Sequence, residues 1–286
     1  MKNISPLRLL TRSAESGFWS IEHVELAHDT AGGDASKADL LLPSSDILPS
    51  ALASNHSNLG KAWKSVVRVT STTPFCIDNN SGGTKVDTGF VIDKTRGIVV
   101  CSAEAFRGSA ANISLIIRNT LQIAATIVYV HPLYPLVFLK YDPSDLGSGW
   151  SDLVSDLPVD NDYWSGERRL TLGQELTVLN CNMQMQPHVF NTQVLDLSIY
   201  RGVFSCKEHG NTEHFNINFI NVVQRGDMQN SFSGLFCDSD GNVIGLWARI
   251  PRCYRNHCTA VFTGIDLAHI GRLVEKMRSS NEYPDI

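Results

Sequence analysis

Three side chains in this sequence have the types needed for acyl-transfer chemistry: Ser233, His131 and Asp142. A serine hydroxyl becomes a good nucleophile when a neighbouring base takes its proton and a third group orients that base. However, Ser231-Phe-Ser-Gly-Leu235 only loosely matches the Gly-x-Ser-x-Gly turn that exposes a nucleophilic serine. The alternative is that Ser233 bonds nearby backbone in a turn, while His131 ends a strand in a His-Pro turn. We favour this alternative, and keep Ser233 and His131 as the fallback nucleophile and base.

Soft metal ligands occur at two places, Cys206-x-x-His209 and Cys253…His257-Cys258. A closed zinc site needs paired motifs at set spacing, and neither place is a standard half-site. His257 and Cys258 are adjacent, so on a strand their side chains would point to opposite faces. We therefore expect neither a metal nor a cofactor.

The composition is that of an ordinary globular protein of 286 residues, with 43% hydrophobic residues, 19% charged residues and a formal net charge of −5. Because there is no basic excess, nucleic acid is a poor candidate partner. No apolar run reaches the roughly 18 residues of a transmembrane helix, so we expect no membrane span. Seven scattered cysteines are an odd number, which is typical of reduced thiols inside a cell.

Short apolar runs separated by Gly, Asp and Asn recur from residue 61 onward and predict an all-β barrel or sandwich. Residues 1–25 predict a strand, a turn and a second strand, and the polar residues 26–60 predict a flexible linker. Apolar residues three or four apart predict an amphipathic helix over 266–278. The strands are predicted over Ser65–Val69, Thr88–Ile92, Ile98–Cys101, Ile113–Arg118, Ile123–Val130, Leu136–Tyr141, Leu176–Leu179, Val194–Ile199, Phe215–Val222, Val243–Trp247 and Ala260–Thr263.

Four stretches, in order, resemble the HtrA/Deg-type serine proteases, which have the trypsin-like fold. Residues 89–106, GFVIDKTRGIVVCSAEAF, resemble the stretch that ends at the general-base histidine. Residues 130–143 resemble the segment with the triad aspartate, and residues 231–247 resemble the nucleophile strand-turn-strand. Residues 6–19 resemble the piece just upstream of the second, degenerate protease module of the large PDZ-containing HtrA-like proteases of fungi and plants.

The resemblance covers residues 5–19 and about 62–278, and it implies two β-barrels closed by a C-terminal helix. We expect the trypsin-like domain over residues 61–280. Its parts are barrel one at about 61–145, barrel two at about 170–264 and the helix at 266–278.

The departures from the family pattern fall on all three catalytic positions. The histidine position holds Glu104, the aspartate position holds Pro135 and the serine position holds Phe232. Glutamate, with an ordinary pKa near 4.3, is a weak base at neutral pH, and it cannot relay a proton as imidazole does. Proline supplies neither charge nor a side-chain hydrogen bond, and phenylalanine is chemically inert. The resemblance therefore implies a degenerate, catalytically inactive module.

Such a module would have a structural, protein-binding or regulatory role in an HtrA-like protease system. Its partners would be proteins or peptides, for example other HtrA-like domains or subunits, and its compartment the nucleus or cytoplasm. The alternative function is an active serine-type endopeptidase that uses Ser233 in protein quality control. Whether the chain is a fragment of a longer PDZ-containing protein, and its oligomeric state, are left open by the sequence.

Overall fold

The computed structural model describes residues 8–12, 19–23, 57–73, 83–106, 111–131, 134–181, 186–206, 211–222, 233–254 and 257–279. The chain divides into two compact units, Met1–Leu41 and Leu42–Ile286. In the first unit, β1 (Arg8–Arg12) pairs antiparallel with β2 (Trp19–His23). These two strands lie in the N-terminal segment for which the sequence predicts a strand, a turn and a strand.

The first helix described in the second unit is α1, Asn58–Ser65, and the first closed barrel follows it. The barrel is hydrogen-bonded in the order β3-β4-β5-β8-β7-β6, and neighbouring strands are antiparallel. A 3₁₀ helix, Ala103–Phe106, follows the third strand. The strands are β3 (Val66–Thr73), β4 (Gly83–Asp93), β5 (Ile98–Ser102), β6 (Asn112–Ile117), β7 (Leu121–Val130) and β8 (Leu136–Lys140).

The second closed barrel is hydrogen-bonded in the order β10-β11-β14-β13-β12-β9. Its strands are β9 (Glu175–Cys181), β10 (Pro187–Cys206), β11 (Asn211–Val222), β12 (Gly234–Cys237), β13 (Val243–Tyr254) and β14 (His257–Asp266). Short helices connect the two barrels: 3₁₀ helices Pro143–Leu146 and Ser151–Leu153, α2 (Gly147–Trp150) and α3 (Asn161–Ser165). The last described element is helix α4, Leu267–Ser279.

Each barrel has its own apolar interior, and a third core lies between them. Val69, Val99 and Leu139 are fully buried inside barrel one, and Phe236 and Trp247 are fully buried inside barrel two. The core between the barrels takes side chains from both and from α4: Phe90, Val100, Phe138, Leu179, Leu235, Leu246, Ile270 and Val274. Burial of each such side chain contributes roughly 1.5–3 kcal/mol, so this shared core holds the barrels and α4 together.

The all-β double barrel with a C-terminal helix is confirmed. Asp266 Oδ1 accepts a hydrogen bond from Ala268 N–H at 2.9 Å and so begins α4. Leu267 and Ile270 are completely buried on the predicted apolar face of that helix. None of the described helices has the length and apolar run needed to cross a lipid bilayer.

The sequence predicts a flexible linker over residues 26–60, and residues 26–56 of that segment lie outside the described residues, while its last three residues begin a helix. The structure has α1 there, and Ser57 begins it by accepting Gly60 N–H at 3.0 Å. Ala62 and Trp63 of this helix are buried against the inter-barrel core. A Ser- and Asn-rich stretch resembles a linker in composition, but serine is also a preferred first residue of a helix.

Candidate functional site

The structure brings the Glu104 and Pro135 positions together at the corner after β5. Glu104 lies in the 3₁₀ helix Ala103–Phe106, and Pro135 is buried just before β8. Ala103 N–H donates to the Pro135 carbonyl at 2.9 Å, so the backbone joins the two corner positions. Phe232, the third of the degenerate positions, lies outside the described residues.

Ser233 follows directly after that position and is only 2% exposed. Its N–H donates to Asp87 Oδ1 at 3.2 Å, and its hydroxyl donates to Asp87 Oδ2 at 3.3 Å. Asp87 Oδ1 also accepts the N–H of Thr88 at 2.7 Å. Asp87 lies on β4 in barrel one and is 7% exposed, so a buried carboxylate of one barrel binds the serine of the other. Both hydrogen bonds of Ser233 within the described chain run to Asp87.

His131, the fallback base, lies just after β7 and belongs to an aromatic cluster. Its backbone N–H donates to Leu136 O at 2.9 Å, and its ring Nδ1 accepts Tyr134 N–H at 2.8 Å. The His131 ring meets the edges of the Tyr134 and His269 rings at centroid distances of 5.0 and 5.7 Å. Because burial disfavours the charged ring, the pKa of His131 lies below its ordinary value.

His269 brings helix α4 into this cluster. Its ring stacks on Tyr134 with centroids 3.7 Å apart, and its Nε2 is buried without a hydrogen-bond partner among the described residues. Burial, with smaller contributions from His131 and Arg272, lowers the pKa of His269 to about 4. The cluster therefore holds neutral imidazoles at pH 7.

Asp142, the third member of the fallback set, lies at a helix end. Its Oδ1 accepts Ser144 N–H at 2.9 Å and begins the 3₁₀ helix Pro143–Leu146. The structure thus places Ser233 with Asp87, His131 with Tyr134 and His269, and Asp142 at a cap.

Three cysteines of the described chain are buried free thiols: Cys101, Cys181 and Cys237. Burial raises the pKa of Cys181 to about 12, with a smaller contribution in the same direction from the charge of Asp87. Burial and the same carboxylate also raise the pKa of Cys101 well above its ordinary value. Because the thiolate is the reactive form, these thiols are poor nucleophiles.

No group of three or more potential metal ligands comes together within the part of the chain that the structure describes. Cys253 and Cys258 are cross-strand partners on β13 and β14, and Tyr254 pairs with His257. His257 and Cys258 are consecutive residues of one strand, as the sequence suggests.

Sequence reasoning missed the residues that contact Ser233 and His131, namely Asp87 at the serine and Tyr134 and His269 at the histidine. Asp87 directly precedes the strand predicted from Thr88, and a carboxylate beside an apolar run is the signal that could have singled it out. His269 carries no comparable signal, because it lies off the apolar stripe of its helix and its partners are far away in the sequence.

Comparisons with known proteins confirm the resemblance to HtrA-like serine proteases. The chain is 24% identical over 248 residues to a PDZ domain-containing protein of Schizosaccharomyces pombe, a match that covers 85% of this chain and 22% of that protein. It is 25% identical over 243 residues to the pro-apoptotic serine protease NMA111 of Phaeosphaeria nodorum, with 84% and 22% covered. It is 26% identical over 244 residues to NMA111 of Saccharomyces cerevisiae, with the same coverage. The chain therefore spans about a fifth of the length of the curated relatives it matches.

Among solved structures, the chain is similar to the active form of the Rv3671c protease of M. tuberculosis. The TM-score is 0.53 at 19% sequence identity, and the match covers 79% of this chain and 86% of that one. This similarity shows the trypsin-like fold. No family model matches the chain.

Proposed function

We propose that this chain is a non-catalytic HtrA-like module with the trypsin fold, which acts through protein contacts rather than by cutting peptides. The residues at the three triad positions support this function, because Glu104, Pro135 and Phe232 cannot reproduce the nucleophile, base and orienting group. Both barrels are nevertheless closed.

The observation that carries the proposal is the bonding of Ser233. This serine is the nearest candidate nucleophile, yet it is buried and its hydroxyl donates to the carboxylate of Asp87. A carboxylate with an ordinary pKa near 3.9 is a weak base at neutral pH, so it is poorly suited to accept the serine proton. His131 would be the better base, but its Nδ1 already accepts Tyr134 N–H.

The role that remains for such a module is structural or regulatory. Its partners would be proteins or peptides, including other domains or subunits of an HtrA-like protease system, in the nucleus or cytoplasm. The relatives support this setting, because each is several times longer than this chain and one is described as containing a PDZ domain.

The second candidate function is an active serine endopeptidase that works through Ser233 in protein quality control. One observation favours it: several relatives are named serine proteases. It requires a rearrangement that frees the Ser233 hydroxyl from Asp87 and brings a base to it.

A fluorophosphonate probe, which reacts covalently with activated serines, separates the two functions. We expect the folded, purified chain to show no more labelling than its Ser233→Ala variant and no cleavage of casein, with trypsin as the positive control. Labelling of the native chain that disappears in Ser233→Ala, together with casein cleavage, would establish the endopeptidase instead. Circular dichroism of both proteins verifies that the comparison is between folded chains.

A further inference from the structure

The bond between Asp87 and Ser233 crosses from one barrel to the other. Asp87 is on β4 in barrel one, and Ser233 directly precedes β12 in barrel two, 146 positions later in the chain. Both side chains are buried, at 7% and 2% exposure.

We propose that Asp87 is a positioning residue that clasps the two barrels together and withdraws Ser233 from chemistry. The carboxylate supplies a buried polar contact between the barrels, in a chain whose histidine position holds Glu104. The withdrawal of Ser233 from chemistry rests on the proposed function. The bridge that the Asp87–Ser233 clasp makes between the barrels does not depend on whether the chain has lost activity.

The chemistry of the bridge suits a buried carboxylate. The donors to Asp87 include the N–H groups of Thr88 and Ser233 and the Ser233 hydroxyl, and Ser233 supplies a donor to each of its two oxygens. Hydrogen bonds to an ionised group are stronger than those between neutral groups, and a buried charge without donors is strongly unfavourable. Removal of either partner therefore costs more than an ordinary surface hydrogen bond.

Ser233 is held in place from the other side by its neighbour Gly234. Gly234 pairs with Asn180 on β9 and with Trp247 on β13. A Cβ on this glycine would come within 2.9 Å of both the Leu179 carbonyl oxygen and Asn180 Cβ, so the backbone there packs too closely for a side chain. The first residue of β12 is thus fixed within barrel two, and the clasp links this fixed point to barrel one.

The charge of Asp87 also reaches thiols on both sides of the boundary. Burial raises the pKa of Cys101 on β5 in barrel one and that of Cys181 on β9 in barrel two, and the charge of Asp87 contributes in the same direction to both. The carboxylate therefore lies close to both barrels in a poorly hydrated place, as a clasp between them requires.

A double-mutant cycle with Asp87→Asn and Ser233→Ala tests the clasp. We expect each single variant to lower the ratio of folded to unfolded protein in urea unfolding by about tenfold to a hundredfold. The double variant should cost less than the two together by a factor of about ten, because the residues lose one shared interaction. Additive effects would overturn the proposal.

The matched control is Asp93→Asn on the same strand, because Asp93 accepts Arg96 N–H only three residues away at 2.9 Å. This variant should show no coupling to Ser233→Ala. If Asp87→Asn does not fold, Ser233→Ala alone decides: stability equal to that of the native chain would overturn the clasp.

Amide hydrogen exchange gives a second readout, at the Ser233 N–H that Asp87 binds. Its exchange should speed up at least tenfold in Asp87→Asn and remain unchanged in Asp93→Asn. Unchanged exchange at Ser233 in Asp87→Asn would contradict the proposal. The probe experiment is independent of these measurements, so coupling together with labelling at Ser233 would retain the bridge between the barrels and reject both the withdrawal of Ser233 from chemistry and the non-catalytic function.

Discussion

Replacing Gly97 with alanine is expected to destabilise barrel one by about 3 kcal/mol or more. Gly97 ends the turn between β4 and β5 with φ of +73°, a conformation that L-residues adopt at a cost. A Cβ at this position would lie 2.1 Å from the Tyr141 carbonyl oxygen, which is backbone and cannot rotate away. The Gly97 carbonyl also accepts Tyr141 N–H at 2.9 Å, so any shift of the turn breaks that bond. Urea unfolding of Gly97→Ala measures the loss.

Gly173→Ala is the matched control for this variant. Gly173 also has a positive φ, +75°, but no atom lies within 4 Å of the Cβ that would be added there. We expect it to cost only the backbone strain, about 1 kcal/mol. If Gly97→Ala and Gly173→Ala lowered the free energy of unfolding equally, the close approach of Gly97 to Tyr141 would not contribute to the cost of the substitution.

Local patterns predicted this turn and the strands around it well. Asp93-Lys-Thr-Arg-Gly97 joins two apolar runs, and the structure has β4 and β5 on either side. Helix α4 could be predicted equally well from its periodicity, because its buried residues recur three and four positions apart. In such cases the physical cause of the structure lies within about ten residues of chain.

Strand length was less predictable than strand position. The sequence predicts a strand over Val194–Ile199, whereas β10 extends over Pro187–Cys206. Many of its added residues pair with β11 or β9 through backbone hydrogen bonds, which need no apolar side chain and leave no periodic signal. β12, Gly234–Cys237, has only four residues, too few for a clear pattern of its own, and only the resemblance of residues 231–247 to a strand-turn-strand covers it.

The candidate site also combines features that the local sequence predicts with contacts that only tertiary packing determines. The loss of the catalytic types at Glu104 and Pro135 is visible in the sequence, and the structure joins those two positions through the Ala103–Pro135 hydrogen bond. What Ser233 binds could not be predicted, because Asp87 is 146 positions away and only the closed barrels bring it near. A resemblance identifies which groups are missing; the contacts that replace them depend on tertiary packing.

The second large effect we expect is a loss of stability in acid that originates at His269. Its pKa of about 4 in the folded protein lies below the ordinary value of 6.5, so between these two values the unfolded chain binds more protons. Stability therefore rises with pH through this window, is fully present above pH 6.5 and is lost as pH falls towards 4. The whole shift corresponds to about 3.4 kcal/mol, and since the ring is only half-buried we expect roughly half of that.

The contacts of the cluster explain why acid acts here. Protonated His269 would carry a buried N–H⁺ at Nε2 for which the described part of the chain offers no acceptor, close to the positive Arg272. Protonated His131 would lose the bond in which its Nδ1 accepts Tyr134 N–H, because both ring nitrogens of imidazolium are donors. Both events weaken the contact of α4 with the segment between β7 and β8.

His269→Phe tests this prediction because it keeps an aromatic ring on Tyr134 and removes the titrating group. We expect urea unfolding between pH 7.5 and 4.5 to show a smaller loss of stability in His269→Phe than in the native chain, by about 1–2 kcal/mol. The control is His188→Phe, which replaces an exposed histidine on β10 and should follow the native pH dependence. If His269→Phe lost as much stability in acid as the native chain, the acid sensitivity would have to come from other groups, because the variant leaves every other titratable residue in place.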